Sequence, residues 1–236
     1  MHEISLLNLC IAFVPVLPVL LILYRWHLPY KKSLYALIRM LCQLMIVGYF
    51  LAFLFETNSA MIVFTALTIM LFTASWISLG SIADQRPGMY KRATTAMAFG
   101  SGTALLVITQ GVLMIEPWYA PAYLIPLGGM ILANAMNCIS LAAERMSSEI
   151  QHGQSYLEAR AAALKASMLP VINSLFAVGI VTLPGLMTGQ ILSGVSPLIA
   201  ARYQIVIMCM LFASAGLSSI TFLCLSRHQY KLPSKT

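Results

Sequence analysis

The side chains of this sequence that could do chemistry are mostly uncharged. Asn134, Asn137, Asn173, Ser174 and Gln190 lie inside long apolar runs, together with Pro184, Gly185 and Gly189. In such surroundings an amide or hydroxyl either hydrogen-bonds a neighbouring helix or lines a path for a polar solute. Gly185 and Gly189 form a G-x-x-x-G pair that lets helices approach closely. Pro184 next to Gly185 predicts a break inside a helix, with carbonyls free to face a polar cavity. Arg39 is the one ionisable residue placed within an apolar run, and Gln43 stands one turn further along on the same face. That pair either snorkels to the interface or supports a neighbouring helix or polar pathway. Fifteen methionines, among them Met130, Met136 and Met187, offer thioethers to a soft metal ion, although methionine also fills gaps in apolar packing.

Other chemistry is missing from the sequence. No G-x-x-x-x-G-K-[ST] loop occurs, so ATP is not expected to bind this chain by that route, and no cofactor is expected in it. The seven acids fall at the ends of apolar runs or between them, and His2, His27, His152 and His228 lie outside the runs. Proton-driven carriers need titratable groups within the membrane, so that mechanism is disfavoured. No cluster of acids, histidines or serines supports acid-base or nucleophilic catalysis, and the chain reads as a non-enzyme. The five cysteines have no C-x-x-C spacing and read as reduced packing residues.

The elements that must position these groups are membrane helices. Hydrophobic residues make up 60% of the chain, charged ones only 9%, and the mean hydropathy is +0.86. A globular domain carries roughly 25% charged residues, so a water-exposed surface cannot be built from this composition. Apolar runs of about 20 residues predict an all-α, polytopic bundle of about seven spans. They cover Ile4–Tyr24, Leu34–Phe55, Met61–Ile82, Thr94–Ile115, Tyr123–Ala143, Leu169–Leu192 and Tyr203–Leu225. Pro15 and Pro18 predict a bent first span. That span has no basic leader ahead of it and is expected to remain in place as a membrane helix. Thirteen of the 14 Lys and Arg residues flank the first, third and fifth connections and the C-terminal tail, leaving Arg202 for the other side. Basic residues mark the cytoplasm, so the N-terminus is expected outside and the C-terminus inside. The opposite connections, Glu56-Thr57-Asn58 and Glu116-Pro117-Trp118, are short and acidic or neutral, and Trp118 and Tyr119 sit where interfacial aromatics belong. The net charge of +7 therefore reflects topology and not nucleic-acid binding. No internal repeat or low-complexity tract is evident, and residues 1–236 read as one transmembrane domain in the lipid bilayer.

The longest polar interruption, Glu144 to Ser167, lies on the cytoplasmic side and is rich in helix formers but broken by Gly153. Glu158, Ala159, Ala161, Ala162, Ala163 and Leu164 predict a helix with a small-residue surface. It is suited to docking against another protein or to serving as a solvated connector.

Three blocks carry a family resemblance: RMLCQLMIVGYFLAFLF from Arg39, IPLGGMILANAMNCISLAAER from Ile125, and LPVINSLFAVGIVTLPGLMTGQILSGVSPLIAARYQIVIMCML from Leu169. They resemble the FetB-type permeases of bacterial iron-export ABC transporters, a family that includes plant membrane subunits linked to aluminium tolerance. The resemblance implies a permease, acting as a homodimer, that exports a metal ion such as iron from the cell through the inner membrane. ATP would be bound by a separate ATPase subunit. It also implies that residues 144–167 couple to the ATPase through Glu144, Arg145, Glu158 and Arg160, and that the fifth and sixth spans line the pathway. One departure is visible: HGQSYLEARAAALKASMLPVIN keeps Gly153 and Glu158 but is shorter than the family segment by a helical turn or more. A passive channel or carrier, or a membrane scaffold that has lost transport, remains compatible with the same residues.

Overall fold

Proline and glycine set most of the element boundaries. The computed structural model describes residues 5–56 and 59–230, and the regular structure there is helical, apart from one isolated bridge between Val178 and Thr182. The chain divides into two compact units, one ending at Glu56 and the other made of the residues that follow.

In the first unit, α1 (Leu6–Ile11) is capped by Ser5, whose Oγ accepts a hydrogen bond from the Asn8 amide at 3.2 Å. Pro15 stands at the N-cap of α2 (Val16–Arg25). Pro18 falls in its first turn, where no intrahelical N–H is lost. The bent first span is therefore two helices. A turn with His27 in the left-handed region (φ 55°) leads to α3 (Tyr30–Glu56), and the rings of Tyr24 and Tyr30 meet edge to face at 5.2 Å across it. At 27 residues α3 is about 40 Å long, enough to cross the bilayer as the second expected span. Ile4 of the first expected span, Thr57 and Asn58 of the outer turn, and Lys231 and Lys235 of the tail lie outside the described residues.

The second unit holds α4 (Ala60–Ser78), α5 (Arg86–Leu106), α6 (Pro121–Gln151), α7 (Tyr156–Ala177), α8 (Gly185–Leu192) and α9 (Pro197–Leu225). Five helical stretches among the described residues are long and apolar enough to cross a membrane: Asn8–Arg25, Ala60–Ser78, Gly80–Val112, Pro121–Gln151 and Pro197–His228. The chain is thus an all-α integral membrane protein. Within the bilayer, helices associate by close packing of small residues. α5 and α9 do so here: Ala93, Ala96, Gly100, Ser101 and Ala104 on one helix, and Ser214, Ala215, Ser218 and Ser219 on the other, are all buried. The hydroxyls of Ser101 and Ser214 lie 3.0 Å apart across the seam. α6 contributes Ile131, Ala135, Ile139, Ala142 and Met146, each fully buried.

The basic connections meet at one end of this unit, as the charge bias requires. Arg92 Nη1 donates to Gln229 Oε1 at 3.2 Å, and the Tyr156 hydroxyl donates to the Leu223 carbonyl at 2.7 Å. The Arg86 guanidinium lies 4.5 Å from the Trp76 ring centre.

One expectation needs correction. The sixth span, Leu169–Leu192, is not a continuous crossing helix: α7 stops at Ala177, and α8 begins only at Gly185. Gly179 adopts φ 82°, a conformation that L side chains rarely take, and the turn it makes closes back on the helix end. The Ala177 carbonyl accepts from the amides of Val181 (2.8 Å) and Thr182 (3.1 Å), and the Gly179 amide donates to the Thr182 carbonyl at 2.9 Å. These bonds satisfy backbone groups that would otherwise be bare in an apolar medium.

Candidate functional site

The break between α7 and α8 opens onto a cavity of about 320 Å³ bounded by α6, α7, α8 and α9. Its polar lining comes from Asn134 on α6, Ser174 on α7, Thr182 in the turn and Gln204 on α9, with Met130 and Met208 beside them. Pro184 and Gly185 form its edge at the start of α8. No lining residue carries a formal charge, so the cavity offers dipoles and thioethers to a solute but no counter-ion. A second cavity of about 310 Å³ among α4, α5 and α6 is lined mainly by apolar side chains such as Phe64, Leu67 and Ile131.

Each amide of the site has its own task. Asn134 Nδ2 donates to the Leu211 carbonyl at 2.9 Å, tying α6 to α9. Ser174 donates to the Pro170 carbonyl at 2.9 Å, within its own helix. Pro170 has no N–H to donate, so the carbonyl that loses its intrahelical partner is that of Ala166, one turn earlier. Gln204 is only 6% exposed, and its Oε1 has no hydrogen-bond partner among the described residues. A buried acceptor left unpaired costs about 1–3 kcal/mol, a cost that water or a bound solute would offset.

Of the expected pathway residues, Asn134, Ser174, Pro184 and Gly185 come together here. Asn137 and Asn173 are exposed on the outside of α6 and α7. Gly189 and Gln190 lie further along α8 and do not line the cavity; Gln190 Oε1 is buried without a partner among the described residues. Met130 lines the cavity, Met136 packs against the main apolar core, and Met187 lines a neighbouring apolar cavity. Among the described residues no group of three or more His, Cys, Asp or Glu side chains could hold a metal ion. Arg39 and Gln43 belong to the first unit, exposed one turn apart on α3. Sequence reasoning missed Gln204. Gln204 had a signal, as the one amide in the apolar run of α9.

The segment 144–167 is a helical hairpin. α6 runs on past the bilayer to Gln151 and ends at Gly153, whose φ of 83° lets the chain reverse. Ser155 then starts α7 with a capping box, in which its amide and hydroxyl donate to Glu158 Oε2 (3.1 and 2.6 Å) while its Oγ accepts from the Glu158 amide. The Ser155 hydroxyl and amide hold the Glu158 carboxyl below its ordinary range. Arg145 pairs with Glu149 one turn on, Glu144 is exposed, and Arg160 lies over the Tyr156 ring. The small-residue face is not free for docking at every position. Ala159 and Ala163 are fully buried against the chain's own core, because methyl side chains let α7 close onto α6 and α9.

The chain was compared with known families and proteins. The pattern of a family described as Uncharacterised protein family (UPF0014) matches residues 6–230. A UPF0014 membrane protein of Synechocystis is 37% identical over 209 residues, covering 81% of this chain and 80% of its own. The Escherichia coli K12 protein named Probable iron export permease protein FetB is 30% identical over 237 residues, covering 93% and 89%. The Arabidopsis thaliana protein ALUMINUM SENSITIVE 3 is 31% identical over 232 residues, covering 90% and 83%. No solved structure matches.

Proposed function

The chain belongs to the UPF0014 family of membrane proteins, and on that premise we propose that it is the permease subunit of an ABC transporter that exports a metal ion such as iron. A separate ATPase subunit binds and hydrolyses ATP, and two permease chains pair to form the transport unit. Residues 1–236 act as one transmembrane domain in this assembly.

The observation that carries the reading is the interrupted α7–α8 segment, whose ends meet the amides of α6 and α9 around an uncharged, mainly apolar cavity that holds four polar side chains. A helix pair separated by a turn can change its angle without disrupting a continuous hydrogen-bond ladder. α7 also begins at the cytoplasmic hairpin and ends at the cavity, so a displacement at Glu158 reaches Ser174 along one continuous helix that passes through Pro170. In this reading Glu144, Arg145 and Glu158 face the ATPase, and Asn134, Ser174, Thr182 and Gln204 solvate the cargo as it passes.

The test is co-purification of the chain with its candidate ATPase in nanodiscs, with turnover measured in the presence and absence of the permease. A stoichiometric complex with permease-dependent ATP hydrolysis is expected. Asn134→Leu should lower metal export about tenfold with the complex intact, whereas Asn137→Leu, outside the cavity, should transport normally. Flux into liposomes by the chain alone, without an ATPase, would instead assign it to passive carriers.

A further inference from the structure

We propose that Arg160 and Arg227 form a binding site for the phosphate of an anionic phospholipid of the cytoplasmic leaflet, where α7 begins and α9 ends. The two guanidinium carbons lie 5.9 and 6.0 Å from the centre of the same Tyr156 ring. Two cations within reach of one ring make a positive patch that an anion would offset. Among the described residues the single ion pair is Arg145–Glu149, so neither arginine has a carboxylate partner. The nearest acid in sequence, Glu158, is engaged with Ser155. Both arginines are exposed and open to a ligand.

The surroundings favour a lipid. The Tyr156 hydroxyl is bonded to the Leu223 carbonyl, two residues before the end of α9, which sets the cluster at the basic end of that membrane helix. Leu157 and Leu225, adjacent in sequence to Tyr156 and to the Ser226–His228 turn, are 64% and 43% exposed. An acyl chain has use for that apolar surface, and a free phosphate ion has none. Guanidinium forks match phosphate oxygens in a bidentate manner. Basic pockets between helices on the cytoplasmic side are suited to anionic headgroups.

The full chain in detergent micelles would be titrated separately with dioctanoyl-phosphatidylglycerol, dioctanoyl-phosphatidylcholine and inorganic phosphate while its melting temperature is followed. A saturable rise with phosphatidylglycerol alone is expected. In the double variant Arg160→Gln, Arg227→Gln the apparent affinity should fall at least tenfold, and Arg160→Lys, Arg227→Lys should recover only part of it. An unchanged melting temperature in the phosphatidylcholine arm certifies that the variants fold. Equal responses to all three additives, or a phosphatidylglycerol response that survives the double Gln variant, overturn the proposal. So does a double variant that loses ATPase binding while keeping its lipid response, which would make the cluster a protein-docking site.

Discussion

At Gly100 an added methyl group would stand 2.5 Å from the Ser218 amide nitrogen and 2.9 Å from its Cα, both backbone atoms of α9. Backbone cannot rotate aside, so Gly100→Ala must push α5 and α9 apart, a change that costs about 1–3 kcal/mol as overpacking. Gly128→Ala meets only the end of the Leu67 side chain, which can turn away, so its loss should be smaller. At Gly185 and Gly189 nothing lies within 4 Å, and alanine there should alter stability by less than about 0.5 kcal/mol. Thermal unfolding of the four variants in micelles ranks them; a Gly100→Ala protein as stable as Gly189→Ala would refute the close α5–α9 contact. The G-x-x-x-G spacing thus drew attention to the wrong glycines for packing within the chain. Spacing shows which residues share a helix face, but not whether a neighbour occupies it. The same limit explains the amides: Asn134 and Asn137 are equivalent in composition, yet one faces α9 and the other faces outward.

The α6–α7 hairpin is an element whose local signals were strong. Gly153, Ser155 and Glu158 fix its reversal and its restart within six residues; the break at Gly153 is expected from the sequence, whereas the capping box of Ser155 and Glu158 is seen only in the fold. Ser155→Ala removes the cap and should cost about 1 kcal/mol. Its readout is faster hydrogen exchange in the first turn of α7. The Glu158 carboxyl titrates below its unfolded value, so its contribution is complete above the unfolded carboxylate pKa and is lost as pH falls through the lowered folded one. Acidification should therefore lower the protection factors of the amides of residues 156–160 in the parent protein, and much less in Glu158→Ala. The α7–α8 break was harder to read. Hydropathy stays high from Leu169 to Leu192, and a window of 20 residues averages across the turn at Gly179. Pro184 and Gly185 signalled an interruption but not its extent, because the chain leaves α7 seven residues earlier. What decides the stopping point is the set of bonds from residues 180–182 back to Ala177, which composition does not record.

For the whole molecule, charge bias along the chain and contacts in space give the same division of ends. Arg92 meets Gln229, and Tyr156 meets Leu223, although these partners are separated by 137 and 67 positions in sequence. The connections counted as cytoplasmic are thus neighbours at one end of the second unit, and the Trp118–Tyr119 pair, edge to face at 5.6 Å, marks a connection of the other kind. Tyr230 anchors the end of the chain there: it is buried, its hydroxyl donates to the Met89 sulfur at 3.5 Å, and burial pushes its pKa up to about 12. A fixed orientation follows, with Gln154 facing the cytoplasm and Trp118 facing outward. In a background with the exposed Cys10, Cys42, Cys209 and Cys224 changed to alanine, Gln154→Cys should react with a membrane-impermeant maleimide only in inverted vesicles. Trp118→Cys should react only in right-side-out ones. The reverse pattern would place the α6–α7 hairpin outside, away from any cytoplasmic ATPase, and would refute the permease reading together with the orientation. Labelling of both sites in both preparations would mean dual insertion, which a bias of thirteen basic residues to one side should prevent.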